Sequence, residues 1–215
     1  MKKNKIIKTF FDNLKTLIWA LLIALFIRSL IVQPFYIPSS SMEPTLLVGD
    51  RIFVTKFSYG YSKHSFPFSP NFSNNRFFNK KPSQGDLVVF KTPADNRTDY
   101  IKRLIGLPGD EIQFIDGNIY INKKKIKRIE TKYSKKIRCG NINFDTRTFI
   151  ETLPNGVEYV AAYNKNGTLQ NTKIYKVPKG HYFLMGDNQS ISRDCRHWGE
   201  GITRDAILGL VLEQE

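Results

Sequence analysis

Gly109-Asp110-Glu111-Ile112-Gln113-Phe114-Ile115-Asp116-Gly117-Asn118-Ile119-Tyr120-Ile121-Asn122 holds two short apolar-alternating runs with Asp-Gly between them. Asp-Gly is a strong hairpin signal, because both central residues of a tight two-residue turn need positive φ. The same punctuation recurs outward from this point. Gly49-Asp50 precedes Arg51 to Phe57, Gly85-Asp86 precedes Leu87 to Phe90, and Asn155-Gly156 and Asn166-Gly167 fall between Phe149 and Val177. No segment beyond Val32 sustains a 3.6-residue apolar period, so a mainly β fold is expected there.

The first 33 residues differ. Lys2, Lys3, Lys5, Lys8 and Lys15 precede an apolar run, Thr16 to Val32, and account for part of the net charge of +14. As a helix this run measures roughly 26 Å at about 1.5 Å per residue, close to a hydrocarbon core of ~30 Å. Arg28, near its far end, can snorkel outward. The segment Arg28-Ser29-Leu30-Ile31-Val32-Gln33-Pro34 lacks a small-x-small cleavage site, so an anchor is the better reading than a removed leader. The positive-inside rule then leaves the N-terminus in the cytoplasm and the remainder on the outer side.

Cys139 and Cys195 match no metal spacing, and sequence alone leaves their pairing open. His64, His181 and His197 form no His-x-x-x-His pattern, so neither a metal nor a cofactor is expected. Residues 58–84 are rich in Tyr and Phe, suited either to packing or to a bilayer interface. Lys123 to Arg138 holds nine basic residues against Glu130, which is read as a solvated hairpin face rather than a nucleic-acid or lipid patch.

Chemistry centres on Pro38-Ser39-Ser40-Ser41-Met42-Glu43-Pro44-Thr45-Leu46. Proline fixes its own φ and disfavours helix one residue earlier, so Ile37 and Glu43 are expected to be extended or turning. A serine held in so constrained a loop suits a nucleophile or an oxyanion donor. Its base could be His181 or His197, or a lysine, since Ser-Lys pairs are a convergent variant of the triad. In Tyr100-Ile101-Lys102-Arg103-Leu104-Ile105, a strand would put Tyr100, Lys102 and Leu104 on one face and Arg103 on the other. A lysine acting near neutrality must fall from ~10.4 to about 7–8, about 3.5–4 kcal/mol against its charged form, which burial among apolar side chains can supply.

Four segments together resemble the bacterial type I signal peptidases, membrane-anchored Ser-Lys proteases. They are Pro34 to Leu46, Gly49 to Gly60, Tyr100 to Asp110, and Gly186-Asp187-Asn188 through Asp194-Cys195-Arg196-His197-Trp198-Gly199. The resemblance implies Ser41 as nucleophile and Lys102 as general base. It implies that Ser39 and the Ser41 N–H form the oxyanion hole and that Ser192 orients the lysine. Asp187, Asp194 and Arg196 would support the surrounding loop. Gln189, Ser190, Ile191 and Cys195 depart from the family's usual block, which puts a supporting charge pair of that loop in question, and Ser40 stands where Gly or an acid is common.

The expected organisation is a basic tail and anchor at 1–33, a catalytic core at 34–110 and 181–215, and an inserted hairpin-rich subdomain at 111–180. The implied activity is removal of signal peptides from exported preproteins at the cytoplasmic membrane, with preproteins and the lipid bilayer as partners and no nucleic acid. The alternative class is a non-enzymatic, membrane-tethered basic β-domain that binds anionic lipid or nucleic acid.

Overall fold

Lys2–Leu30 forms a single helix, α1, in the computed structural model of the chain. The structure describes residues 2–62, 76–78, 80–131, 136–139, 142–164 and 171–212, with backbone alone at 2–6, 136–139 and 142–144. Within α1, Ile7–Leu30 is a 24-residue candidate span containing an 18-residue window of mean hydropathy 1.8, none of that window buried against the rest of the chain. At about 1.5 Å per residue it reaches about 36 Å, enough to cross a bilayer. The helix therefore starts earlier and stops sooner than the apolar run Thr16 to Val32 implied. Ile7, Phe10, Phe11 and Leu14 continue its apolar surface past the early charges. Val32 instead opens a strand, because its backbone pairs with Thr55.

The strands are β1 (Val32–Tyr36), β2 (Arg51–Thr55), β3 (Leu87–Lys91), β4 (Asp99–Gly106), β5 (Glu111–Ile115), β6 (Asn118–Ile121), β7 (Lys124–Lys125) and β8 (Lys127–Glu130). They continue as β9 (Lys136–Cys139), β10 (Ile142–Thr152), β11 (Glu158–Asn164), β12 (Tyr175–Lys176) and β13 (His181–Met185). A short helix, α2 (Cys195–Trp198), then precedes β14 (Ile202–Thr203) and β15 (Ile207–Leu212). The described part beyond α1 is mainly β, as its turn punctuation implied. Asp116 and Gly117 take φ of 49° and 71° between β5 and β6, the positive-φ pair that an Asp-Gly hairpin turn requires.

Three antiparallel sheets result. The largest runs β1-β2-β15-β3-β4-β13-β14 and draws on both ends of the chain beyond the anchor. The other two, β12-β5-β6-β7 and β11-β10-β8 with β9 paired to β10, are built between Glu111 and Lys176. In the large sheet β3 is covered on both faces. Val88 and Phe90 point into a core shared with Leu104, Ile112, Ile119 and Leu184. Leu87 and Val89 point into a second core with Ile37, Met42, Ile52, Val54 and Leu208. That double burial explains why Leu87 to Phe90 reads as an unbroken apolar run instead of an alternating one.

Tyr59 is buried, Tyr61 Oη donates to the Leu30 carbonyl at 2.6 Å, and Phe77 and Phe78 are exposed. The rest of the aromatic stretch, 63–75 and 79, lies outside the described residues. Lys124, Lys125 and Lys127 are exposed, but Arg128 is not part of that wet face. It pairs with Glu151, which is fully buried and also accepts from Tyr159 and Tyr163. Cys195 is a free, buried thiol, and the side chain of Cys139 is not among those described.

Candidate active site

Ile37 hands the chain from β1 to the serine segment. Its N–H donates to Asp50 O and its carbonyl accepts from Gly49 N, so the Gly49-Asp50 turn holds the segment at its base. Ser40–Met42 then makes one 3-10 turn flanked by extended Ser39 and by Glu43, which is extended as Pro44 led us to expect. Met42 is the wedge of this turn. Buried with Ile37, Ile52 and Val89, it fixes the turn on the second core and leaves Ser41 facing a cleft. Burying a methionine contributes about 1.5–3 kcal/mol, ample to hold so short a turn.

The facing wall is β4. Its Lys102 side chain is 1% exposed and sits opposite Val88 on β3. Lys102 Nζ donates to Ser41 Oγ at 2.7 Å and lies 5.6 Å from the Tyr100 ring centre. Tyr100 packs edge-on against Trp198 of α2, with Phe90 alongside. The strand alternation thus puts Tyr100, Lys102 and Leu104 together, as expected. Burial pushes the Lys102 ammonium down from 10.5 to about 8, against the pull of Asp194 and Asp187, which favour its charge. Ser39 Oγ is exposed, 3.3 Å from Ser41 Oγ.

The third contributor is the loop after β13. Asp187 receives Arg103 Nε at 2.8 Å and Arg103 Nη2 at 2.7 Å, a buried bidentate pair, and also Thr45 Oγ1 at 2.5 Å. One carboxylate therefore ties the nucleophile segment to the lysine strand. Asn188 N donates to Ser41 O, and Asn188 Nδ2 to Ser40 O. Asp194 caps α2 and receives Arg196 at two nitrogens and Gly186 N. Burial works against its ionisation, yet the Arg196 guanidinium and these donors hold its carboxyl below the usual range. Gln189, one of the departures from the usual block, accepts from Arg196 Nη1 at 2.8 Å and donates to Gly186 O. The loop in question on sequence grounds is therefore braced by an amide. Cys195 is inert here: burial pushes its thiol up to about 12.

The structure thus brings together Ser39, Ser41, Lys102, Asp187, Asp194 and Arg196. Ser192 is buried in the same loop, but its Oγ makes no hydrogen bond to Lys102. It lies near the Asp194 carboxylate, which it helps to hold ionised. His197 is half exposed, 3.9 Å from the Asp194 carboxylate, and His181 lies at Lys179 O; neither bonds Ser41. Among the described residues no cluster of potential metal ligands occurs. Arg103, Thr45, Gly186 and Asn188 escaped the reading of the sequence as site residues. Only Arg103 carried a signal, as a second buried-face charge beside Lys102 among Ile101, Leu104 and Ile105.

Gly186 is required by close approach. A Cβ there would overlap Ser192 Oγ and the Ser41 carbonyl. Because the latter is backbone, Gly186→Ala must shift the nucleophile's turn. We expect it to lower kcat at least tenfold in a purified, folded enzyme, read by a peptide cleavage assay beside a thermal melt.

The family model described as signal peptidase, peptidase S26, matches residues 10–213. The chain belongs to the signal peptidase family. A protein named signal peptidase I from Rickettsia typhi is 44% identical over 205 residues, 91% of this chain and 75% of the relative. One of the same name from Rickettsia conorii is 47% identical over 184 residues, 81% and 67% of the two chains. A crystal structure of a signal peptidase I from Enterococcus faecalis matches at 26% identity over 62% of this chain and 98% of that one, with a TM-score of 0.38. Family membership and α1 together make the chain a membrane-anchored serine peptidase of signal peptides. A non-enzymatic binding domain has no support among these matches.

Proposed function

We propose that this signal peptidase cuts preproteins with Ser41 as nucleophile and neutral Lys102 as general base. The observation that carries the assignment is the 2.7 Å hydrogen bond between Lys102 Nζ and Ser41 Oγ at a lysine held near 8 by burial. Lys102 takes the hydroxyl proton as Oγ attacks the scissile carbonyl. The resulting oxyanion is held by the Ser41 N–H and Ser39 Oγ. Lys102 then protonates the leaving amine, and water releases the acyl group.

A cleft of about 340 Å³ runs beside the dyad, lined by Phe35 to Ser39 on one wall and Thr98 to Lys102 on the other. Among the described residues, β1 pairs only with β2, and β4 pairs with β13 only from Arg103 onward. Backbone groups of Val32–Tyr36 and of residues 99–102 thus remain free for an extended peptide laid between two strand edges. Small pockets in this cleft would select small residues before the cut. Ser192 would complete the lysine's coordination once its hydroxyl turns toward Nζ, and Asp187, Asp194 and Arg196 would keep the loop in place.

We further propose that the basic N-terminal segment is cytoplasmic and residues beyond 33 lie on the outer side, by the positive-inside rule. Only eight residues separate Val32 from Ser41, so a preprotein whose apolar segment lies in the bilayer presents its cleavage site near the nucleophile. Residues 34–110 and 181–215 would form the catalytic core and 111–180 an inserted subdomain.

The pH profile tests the base. Only neutral Lys102 accepts the proton, so kcat/KM on a preprotein should rise about tenfold per pH unit below 8 and level off above it. A flat profile from pH 5 to 10 would remove Lys102 as the base.

A further inference from the structure

We infer that Asn188 is a positioning residue that aims and strengthens the oxyanion donor through the Ser40–Ser41 peptide plane. This rests on the assignment of Ser41 as nucleophile. The N–H of Ser41 belongs to the same planar peptide unit as the Ser40 carbonyl, and the two point in opposite directions. Asn188 Nδ2 donates to that carbonyl at 3.2 Å, and Asn188 N donates to the next one, Ser41 O, at 3.1 Å. One residue therefore grips the carbonyls on both sides of the nucleophile's Cα.

Two consequences follow. First, Ser41 is the second residue of its 3-10 turn, where an N–H has no intrahelical acceptor, so this N–H is left for the oxyanion. Its direction is set by whatever fixes the Ser40 carbonyl, and that is Asn188, together with Glu43 N at 3.1 Å. Second, a hydrogen bond accepted at the carbonyl polarises the amide and makes its N–H a stronger donor, the cooperative behaviour of hydrogen-bond chains. The chain here runs Asn188 Nδ2–H to Ser40 C=O, then through the peptide to Ser41 N–H and the developing oxyanion.

The site is built for this purpose. Asn188 is 1% exposed, and its Oδ1 has no hydrogen-bond partner among the described residues. A buried amide with an unsatisfied oxygen is costly, and an apolar residue of similar size would avoid that cost. The Nδ2 contact is the only side-chain hydrogen bond that Asn188 makes among the described residues. The alternative amide orientation is excluded, because it would set two acceptor oxygens against each other. Asn188 itself is carried by a bridge to Ala162 of β11, with Gln189 N donating to Ala162 O, so the second sheet sets its height.

Asn188→Ala removes the side-chain amide, and with it the Nδ2 donor, while the backbone N–H to Ser41 O stays. We expect kcat to fall about tenfold or more with KM nearly unchanged, and the pH midpoint near 8 to stay in place. A peptide aldehyde, which Ser41 converts to an oxyanion-bearing adduct, should lose affinity by the same factor as kcat/KM. An uncleaved substrate peptide bound to the Ser41→Ala background should lose none when Asn188→Ala is added. Asn188→Asp, which keeps the shape and loses the donor, should reproduce or exceed the loss. Unchanged aldehyde affinity, equal losses for aldehyde and uncleaved peptide, or collapse of the fold in both variants would overturn the inference. Normal cleavage by Ser41→Ala would instead overturn the assignment of the nucleophile.

Discussion

Ser41→Ala and Lys102→Met should each lower preprotein cleavage by about 10⁴-fold or more, and the two variants should part company in stability. Loss of either half of a unit that acts together removes nearly all of its catalysis, so both enzymes should be almost inactive on a preprotein in detergent or lipid. Ser41→Ala removes one partly exposed hydroxyl and should melt close to wild type. Lys102→Met should melt higher. The folded chain holds this ammonium near 8 against 10.5 in the ordinary state, so below pH 8 wild type carries a buried charge costing about 3 kcal/mol. Between pH 8 and 10.5 the unfolded chain holds the proton that the folded chain has shed. Wild-type stability therefore rises with pH in that window, and the advantage of Lys102→Met should fade toward pH 10.5. Chemical denaturation at pH 6.5 and pH 10 reads both effects. A Lys102→Met enzyme less stable than wild type at pH 6.5 would show that the ammonium is well solvated or well paired.

Arg103→Met should be the most destabilising single change near the site. The Arg103–Asp187 pair is nearly inaccessible to solvent on both sides, and the guanidinium also stacks 4.8 Å from the Tyr159 ring. Removing one partner of a buried pair strands the other, which typically costs about 3–5 kcal/mol. Here the stranded carboxylate still receives Thr45, so the variant should distort the nucleophile segment as well as lose stability. The expected result is a drop of about 3 kcal/mol or more in unfolding free energy at pH 7, together with lowered kcat. Asp187→Asn in the same background should recover part of the stability, because an amide needs no cation. A loss under 1 kcal/mol would mean that Asp187 finds another partner.

The β character was legible because Asp116-Gly117 and the Gly-Asp pairs are local signals whose backbone demands nothing else satisfies as well. The ends of α1 were not, because Val32 looks as helical as its neighbours until Thr55, far along the chain, claims it for a strand. Lys102 could be placed on a face with Tyr100 by alternation alone. Its base role needed the resemblance, since no local feature distinguishes a buried strand lysine from an exposed one. Arg103 shows the limit most clearly: alternation turned it correctly away from Lys102, but its partner Asp187 lies 84 residues away and only tertiary structure unites them. Asn188 stood out only as part of the resembling block Gly186-Asp187-Asn188, because its hydrogen bonds to Ser40 O and Ser41 O are tertiary contacts.

The most direct measurement is a titration of the lysine side chains by NMR with selectively labelled lysine. Lys56 is also held near 8, by burial and the nearby Arg28 charge, so two resonances should move early. The one that vanishes in Lys102→Met should show a midpoint near 8. If the resonance that vanishes in that variant titrates near 10.5, Lys102 is an ordinary ammonium at neutral pH and cannot take the proton from Ser41.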